Sequence, residues 1–488
     1  MPGDHSDMEL EQRLPIALGE FVEQPTPGSV RERMKQTVEV HARCLDYCAL
    51  VMQQYCCMTS RHVSSAMREA FALTRKAKRA SVSCRVASSA EVRSRRQFSK
   101  VRDIRSHHSA DLYFRGAFMK EVVVIGAGKI GATIASLLTS TNDYQVILAD
   151  RSTEALGRFD REQRVRIART DVEDSSKLID LLNGQFAVLN AAPFHLTTII
   201  AEAARAAGTH YLDLTEDVAS MRRVRELAID ANTAFIPQCG LAPGFVSIVA
   251  FDLAKRFEVL DSVKLRVGAL PQYPSNALNY NLTWSTDGVI NEYCEPCEAI
   301  VNGVRREVQP LEEREEFSLD GVAYEAFNTS GGLGTLCDTL EGKVRNLNYR
   351  TIRYPGHAAI MRALLNDLRL RDRRHVLKDI LEHAVPTTLQ DVVIIFVTVS
   401  GRNKGELVQE TYANKIYSRD VDGRTLSAIQ ITTATAICTV LDLLVTGQLP
   451  QSGFVRQEDI PLKVFLENRF GQLYAKPDAR VPYHRFGG

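Results

Sequence analysis

The feature that most restricts how this chain can fold is a strand, a glycine turn and a helix in immediate succession near residue 120. Glu121-Val122-Val123-Val124-Ile125 is a short apolar run without alternation, the pattern of a strand covered on both faces. Gly126-Ala127-Gly128-Lys129-Ile130-Gly131 follows directly, and helical spacing of apolar residues continues over Ile130–Thr139. A strand covered on both faces needs helices on each side of its sheet, which a parallel sheet with crossover helices supplies. The pattern then repeats. Strands are expected at Gln145–Asp150, Val165–Arg169, Ala187–Asn190, Tyr211–Leu214 and Ala234–Pro237, with a helix at Thr197–Ala207. This alternation predicts an α/β fold with a doubly wound parallel sheet.

The glycine turn is a GxGxxG sequence in the context that gives it meaning. The first glycine permits a tight turn, the second lets the backbone approach a pyrophosphate, and the third lets helix and strand pack closely. A helix N-terminus there offers unpaired N–H groups to phosphates. Gly126, Ala127, Gly128, Lys129, Ile130 and Gly131 are therefore candidate dinucleotide contacts in a Rossmann domain. A glycine turn without a ligand is the plainer reading.

Asp150 ends the second strand, 19 residues after Gly131. A carboxylate there binds the adenosine ribose hydroxyls and repels a 2′-phosphate, which favours NAD over NADP. Arg151, next in the chain, suits a 2′-phosphate and leaves NADP open. Asp150 as a helix cap is the alternative. Asp171 and Val172 follow the third strand, beside the expected adenine edge. Asn190, Ala191 and Pro193 follow the fourth, where ligands of such sheets bind. Phe194 and His195 would then lie near the nicotinamide. His195 suits a proton shuttle, or is a solvated residue at a helix start.

Beyond about Ser247 the texture changes. Lys264–Gly268, Gln309–Phe317 and Val392–Val399 read as strands of a mostly antiparallel sheet. Helices are expected at His357–Leu370 and His375–His383. Ala428–Thr446 is apolar enough to return and pack on the first domain. The expected division is 119–246 for the dinucleotide domain, completed by 428–475, with 247–427 as an inserted α+β substrate domain and 476–488 as a tail. Gly240–Gly244 and Asn328–Leu336 are glycine-bearing loops; the second lacks a phosphate-loop lysine and is either a substrate-facing turn or a hairpin connection. Arg353 precedes a helix and could hold a carboxylate through two parallel hydrogen bonds, or form a structural salt bridge.

Residues 1–118 are different material. Between 61 and 115 there are 14 Lys/Arg against 4 Asp/Glu, with little apolar periodicity, which predicts a poorly ordered basic extension. A nucleic-acid arm and a targeting presequence are the alternatives, and the acidic, arginine-poor first thirty residues argue against the latter. The extension is expected to be dispensable, because Met119-Lys120 leads into the first strand like many cytosolic amino termini. A cytoplasmic setting follows as an expectation. The net charge of +1 gives no global field for nucleic acid or membrane, and no run of 18 apolar residues is present. Ten cysteines sit at irregular spacings. The Cys294/Cys297 pair lacks a second pair at zinc spacing, so no metal is expected.

Taken together, Val122–Gly131, Asn190–Phe194, Tyr211–Asp213, Gly240–Gly244, Gly268–Pro271, Tyr280–Gly288 and Thr351–His357 resemble the saccharopine dehydrogenase family over about residues 119–475. The carboxyl end, Gly453–Glu458 and Phe465–Gly471, is most similar to bacterial L-lysine 6-dehydrogenases. The resemblance implies a Rossmann domain with an inserted substrate and dimerisation domain, hence a homodimer or larger homo-oligomer. It also implies NAD-dependent oxidation of a CH–NH2 or CH–NH group, with a small amino-acid substrate. Phe194, Trp284 and Arg353 are then substrate contacts. His195, Asp213 and Tyr280 are candidates for the base, among which the sequence does not choose. Saccharopine-cleaving members carry tyrosine, aspartate, cysteine and lysine where this chain has Phe194, Ala242, Val267 and Asn281. Fewer polar groups suit a substrate with fewer carboxylates, such as lysine; saccharopine or carboxynorspermidine is the alternative, and a non-catalytic dinucleotide sensor is the reading from another class.

Overall fold

The computed structural model describes residues 119–159 and 164–475. The expectations for residues 1–118 and 476–488 lie outside the described residues.

The first sheet contains β1 (Lys120–Ile125), β2 (Tyr144–Asp150), β3 (Val165–Arg169), β4 (Ala187–Asn190), β5 (His210–Asp213) and β6 (Ala234–Ile236). With a late strand at Gly453–Phe454 it is seven-stranded and parallel throughout, ordered late strand, β6, β5, β4, β1, β2, β3. β1 shows why the apolar run does not alternate. Val122 and Val124 enter one core cluster, while Val123 and Ile125 enter another on the opposite face. Helices Ser175–Leu182 and Thr197–Ala207 close the second face.

The second sheet runs β10 (Glu315–Leu319), β11 (Val322–Asn328), β12 (Val344–Arg353), β7 (Val259–Pro271), β13 (Asp391–Asn403), β14 (Glu406–Tyr417). β8 (Cys297–Val301) pairs with β12 and with β9 (Val304–Val308). Only the β12–β7 pairing of the main path is parallel. β15 (Arg419–Val421) and β16 (Arg424–Leu426) form a separate hairpin, which makes Gly453–Phe454 β17.

Helix Ala428–Val445 joins the two sheets. It is apolar on all sides, so it is stable only when enclosed. Its residues Ile431, Ala434 and Leu441 share one core with Val122 and Val124 of β1, and with Val263 and Ile395 of the second sheet. Among the described residues it is the one helix long and apolar enough to cross a membrane, and 83% of it is buried inside the protein. Its start is held by a Ser427–Gln430 capping box and by the Asp391 carboxylate, which accepts from the N–H groups of Ala428 and Ile429 at 2.5 and 3.0 Å.

Two sequence expectations need correction. Gln309–Phe317 is not one strand, because Gln309–Arg314 is a turn and β10 begins at Glu315. Pro310 has no N–H to give a ladder, and Leu311 and Glu313 have φ of 63° and 50°, which reverses the chain. His357–Leu370 is not one α-helix. The α-helix stops at Arg362, continues as a wider turn over Ala363–Asp367, and ends before Arg369 at φ 53°.

Candidate active site

At the carboxyl ends of the first sheet, three glycines do three separate jobs. Gly126 has φ 101°, and a Cβ there would lie 2.7 Å from the Ala191 carbonyl oxygen. The β1 and β4 turns therefore touch backbone to backbone. A Cβ on Gly131 would lie 1.8 Å from the Gly126 carbonyl oxygen, so helix Lys129–Ser140 can start here only without a side chain. Around Gly128 there is open space within 4 Å. No side chain caps this helix start, which leaves its N–H groups facing outward beside Gly128. Asp150 bends back onto the turn. Its Oδ2 accepts from Ala127 N at 2.7 Å and its Oδ1 from Ser152 N at 2.7 Å. A dinucleotide fits this cradle: a bare glycine where the pyrophosphate would lie, free helix N–H groups, and a carboxylate at the ribose end.

The neighbouring predicted residues divide between support and contact. Asn190 is buried and ties its turn together: Oδ1 accepts from Ala192 N at 3.0 Å, and Nδ2 donates to Tyr211 Oη at 3.2 Å. Val172 belongs to the core, while Asp171 is exposed and accepts from Glu173 N at 3.1 Å. Arg151 and Lys129 are exposed. Asp213 is fully buried; its Oδ1 accepts from Gln238 N at 2.8 Å and Thr215 N at 3.0 Å, pinning the end of β5 to the chain that enters Gly240–Gly244. Burial pushes its carboxyl up to about 6. In that loop a Cβ on Gly244, φ 131°, would lie 2.1 Å from the Gly240 oxygen.

The second sheet faces these turns with a buried cluster around Arg353, the last residue of β12. Arg353 is 2% exposed. Its Nε donates to Tyr293 Oη at 2.9 Å and its Nη1 to the Ile352 carbonyl at 2.8 Å. The guanidinium lies 4.9 Å from the Tyr280 ring centroid and 5.8 Å from that of Tyr293. Tyr293 in turn meets His357 Nε2 at 3.1 Å, and His357 Nδ1 meets the Leu278 carbonyl at 2.9 Å. A carbonyl only accepts, so Nδ1 carries the hydrogen. Burial and Arg353 push His357 down to about 3, so it is neutral and its Nε2 accepts from Tyr293. The relay fixes the guanidinium and leaves its Nη2 without a hydrogen bond among the described residues, the shape of a waiting anion site.

Tyr280 is 3% exposed, and its hydroxyl has no hydrogen-bond partner among the described residues; Thr283 and Thr329 hydroxyls are in the same condition. Such orphaned polar atoms in a closed site point to a polar ligand. Trp284 is half-buried against Gly288, where a Cβ would lie 2.3 Å from its ring. Phe194 packs edge-on against His195, and His195 is exposed and takes no part in the Arg353 cluster. Thus Tyr280, Trp284 and Arg353 come together on the second domain, while Asp213 supports the loops opposite.

Sequence reasoning missed Glu216, Glu292, Tyr293 and His357. Glu292 is 5% exposed on helix Thr286–Cys294, and burial together with Glu216 pushes it up to about 8, against the pull of Arg353. Burial first, then Asp217 and Asp213, push Glu216 up to about 7. The only available signal was a carboxylate among helix positions that are otherwise buried. These shifts have a stability consequence. The folded carboxyl of Glu292 holds its proton above the unfolded value of 4.5, so its contribution is most favourable below that value and is lost as pH rises towards 8. Tyr280, Tyr349 and Cys297 also face this carboxylate. Glu292→Gln cannot ionise and should raise the melting temperature at pH 9 by roughly 2–6 °C, with the gap closing by pH 5. Thermal scans at both pH values check this; equal Tm values throughout would mean Glu292 titrates normally.

Cys294 and Cys297 are both buried, and burial raises both thiols. Among the described residues no three His, Cys, Asp or Glu side chains are grouped to hold a metal.

A parallel sheet with a glycine cradle that fits a dinucleotide, joined to a second domain that carries a buried arginine site, is the build of a two-domain dinucleotide-binding protein. Family models agree: residues 122–236 match the saccharopine dehydrogenase NADP binding domain and residues 240–473 the saccharopine dehydrogenase C-terminal domain. The chain belongs to the saccharopine dehydrogenase family. Among curated proteins it is similar to the mitochondrial alpha-aminoadipic semialdehyde synthases of Mus musculus (24% identical over 191 residues, 38% of this chain and 21% of that protein) and Bos taurus (22% over 191 residues, with the same shares). The chain thus spans about a fifth of the length of the curated relatives it matches. Among solved structures it is similar to saccharopine dehydrogenase (L-Glu forming) from Saccharomyces cerevisiae, with TM-score 0.60, 15% identity, and coverage of 71% of this chain and 97% of that one. The homospermidine synthase of Legionella pneumophila, solved with NAD, aligns with TM-score 0.50, 12% identity, and coverage of 73% and 90%. At these identities the two structures establish the fold.

Proposed function

We propose that this chain is an NAD-dependent dehydrogenase that oxidises a CH–NH2 or CH–NH group of a lysine-type amino acid, as an L-lysine 6-dehydrogenase does. The observation that carries the reading is Arg353: a buried, immobilised guanidinium with one end uncommitted, and a cation that acts on each of Tyr280, Glu292, Tyr293 and His357. One fixed cation suits one substrate carboxylate. Phe194, Ala242, Val267 and Asn281 supply no further charge. The bound dinucleotide would accept a hydride from the amine-bearing carbon. The protein's part is to hold the carboxylate on Arg353, to wall the substrate with Tyr280 and Trp284, and to keep the opposite loops aligned through Asp213. A substrate amine with a pKa of about 10.4 must also lose a proton before it reacts. His195 faces solvent, whereas Asp213 Oδ2 and Tyr280 Oη are both buried without a hydrogen-bond partner among the described residues, so these two are the groups placed to relay the proton. The proposal includes a homo-oligomeric assembly and a cytoplasmic setting.

Purified full-length protein with NAD should produce NADH when given lysine. Turnover of saccharopine or carboxynorspermidine in its place would move the substrate to the alternative reading. Absence of reduced cofactor with all three would favour a dinucleotide sensor. Cofactor choice gives a second test. Asp150→Ser removes the charge that repels a 2′-phosphate, so the preference for NAD over NADP should narrow by about 10-fold. NAD affinity should also fall, because Asp150 orders the turn through Ala127 and Ser152. A wild-type enzyme that works better with NADP would mean that Arg151 governs the choice.

A further inference from the structure

We propose that Glu216 and Glu292 form an anionic subsite that holds the substrate's amine cations opposite Arg353, so that the pocket selects compounds with one carboxylate and a second amine. The inference rests on the reading of this site as an amine-oxidising one and names its substrate class.

The two carboxylates come from separate elements. Glu216 follows β5, and Glu292 lies on helix Thr286–Cys294. Gly288, one turn before Glu292 on that helix, brings them together. A Cβ on Gly288 would stand 3.2 Å from Glu216 Oε1, so this helix face is closed against Glu216. The glycine-rich loop after β11 meets Glu216 from the other side: Gly331 has φ 84°, and a Cβ there would lie 2.4 Å from the Glu216 carbonyl oxygen. The same loop donates Ser330 N to the Glu292 carbonyl oxygen at 3.0 Å. Backbone is thus packed around both acids, and apart from the Glu216 backbone's own hydrogen bond to its side chain it supplies their carboxylates with no partner among the described residues. Among the described residues neither side chain has a hydrogen bond to another residue or an ion pair, although Glu292 is only 5% exposed. Tyr280, whose hydroxyl is also orphaned, feels both Arg353 and Glu292.

A buried acid without a partner is costly unless it stays protonated or a cation arrives. The repulsion that Glu216 exerts on Glu292 adds to that cost, and a bound ammonium offsets it. Charge balance names the ligand. With both acids ionised, Glu216, Glu292 and Arg353 leave a net negative charge, to which the Asp213 and Asp217 carboxylates that act on Glu216 add, and lysine carries a net positive one. Its carboxylate pairs with Arg353 and its amines with the acids. A tricarboxylate would set further anions against the acids.

Trp284 is the one tryptophan of the chain and packs on Gly288, so its fluorescence reports on this subsite whether or not turnover occurs. The whole protein is titrated at neutral pH with lysine, with cadaverine (two amines, no carboxylate) and with norleucine (no second amine). Lysine and cadaverine should change the emission saturably, and norleucine should bind at least about 10-fold more weakly than lysine. Glu216→Gln and Glu292→Gln should each weaken lysine and cadaverine by about 10- to 100-fold, and Glu292→Asp, which keeps the charge, should recover part of the loss. Three results would overturn the subsite: no saturable change in the wild type, norleucine as tight as lysine, or folded Gln variants that bind as the wild type does. A quench by calcium or magnesium that displaces cadaverine would also overturn it, in favour of a metal site. Diamine binding that depends on both acids, without any NADH from lysine, would uphold the subsite and remove the lysine-oxidation reading instead.

Discussion

Gly131→Ala should cost the protein its dinucleotide. The new Cβ would stand 1.8 Å from the Gly126 carbonyl oxygen and 3.0 Å from its carbon, both backbone atoms that cannot swing aside. Helix Lys129–Ser140 would have to move away from the β1 turn by more than an ångström, carrying its free N–H groups with it. Misplacement on that scale costs about 100-fold at a ligand site, and overpacking of this kind costs about 1–3 kcal/mol of stability. NADH titration and a thermal scan should therefore both change. Gly128→Ala separates the two effects. A Cβ at 128 meets no protein atom within 4 Å, so the melting temperature should hold while NADH binding weakens. If Gly128→Ala binds NADH like the wild type, the pyrophosphate does not pass over this glycine, and the cradle has been drawn in the wrong place.

Arg353→Ala is the second large effect, and it reads on substrate rather than cofactor. A charge-assisted bond is worth roughly 1.5–3 kcal/mol, so kcat/KM for lysine should fall by about 10- to 150-fold. NAD affinity should stay near its original value. The loss of Arg353 also has a cost in stability of about 1–3 kcal/mol, because buried Tyr293 loses its donor. Arg353→Lys should recover only part of the activity, since an ammonium cannot donate to Tyr293 and Ile352 while presenting a fork. Cadaverine is the control, because it has no carboxylate to lose. Equal losses on lysine and cadaverine would assign Arg353 to holding the fold, while the dehydrogenase reading itself would stand.

Residues 119–250 were legible because their signals are local. The unalternating run Val122–Ile125 states that both faces of the strand are covered, and Gly126, Gly128 and Gly131 state where backbone must come close. Neither inference needs a distant residue. The same holds for helix Ala428–Val445, whose all-round apolarity requires enclosure. Local signals failed where the chain is bent by a few left-handed residues. Leu311 and Glu313 end an extended run that composition alone favours, and the wider turn after Arg362 leaves no mark in apolar spacing.

The sequence by itself determined the α/β fold class and the glycine turn with the Asp150 carboxylate beside it, and it offered Arg353 as a candidate. Each follows from residue types at fixed short spacings, where covalent geometry and backbone sterics limit the outcomes. Only the tertiary structure decided which side chains gather around Arg353. Glu216, Glu292, Tyr293, Arg353 and His357 come from two domains and several separate segments, and their burial is set by how those segments pack. The shift of a carboxylate from 4.5 to about 8 is such an effect. It depends on which charges share the dry space and how far water is excluded, quantities that arise only when the second sheet closes over the first.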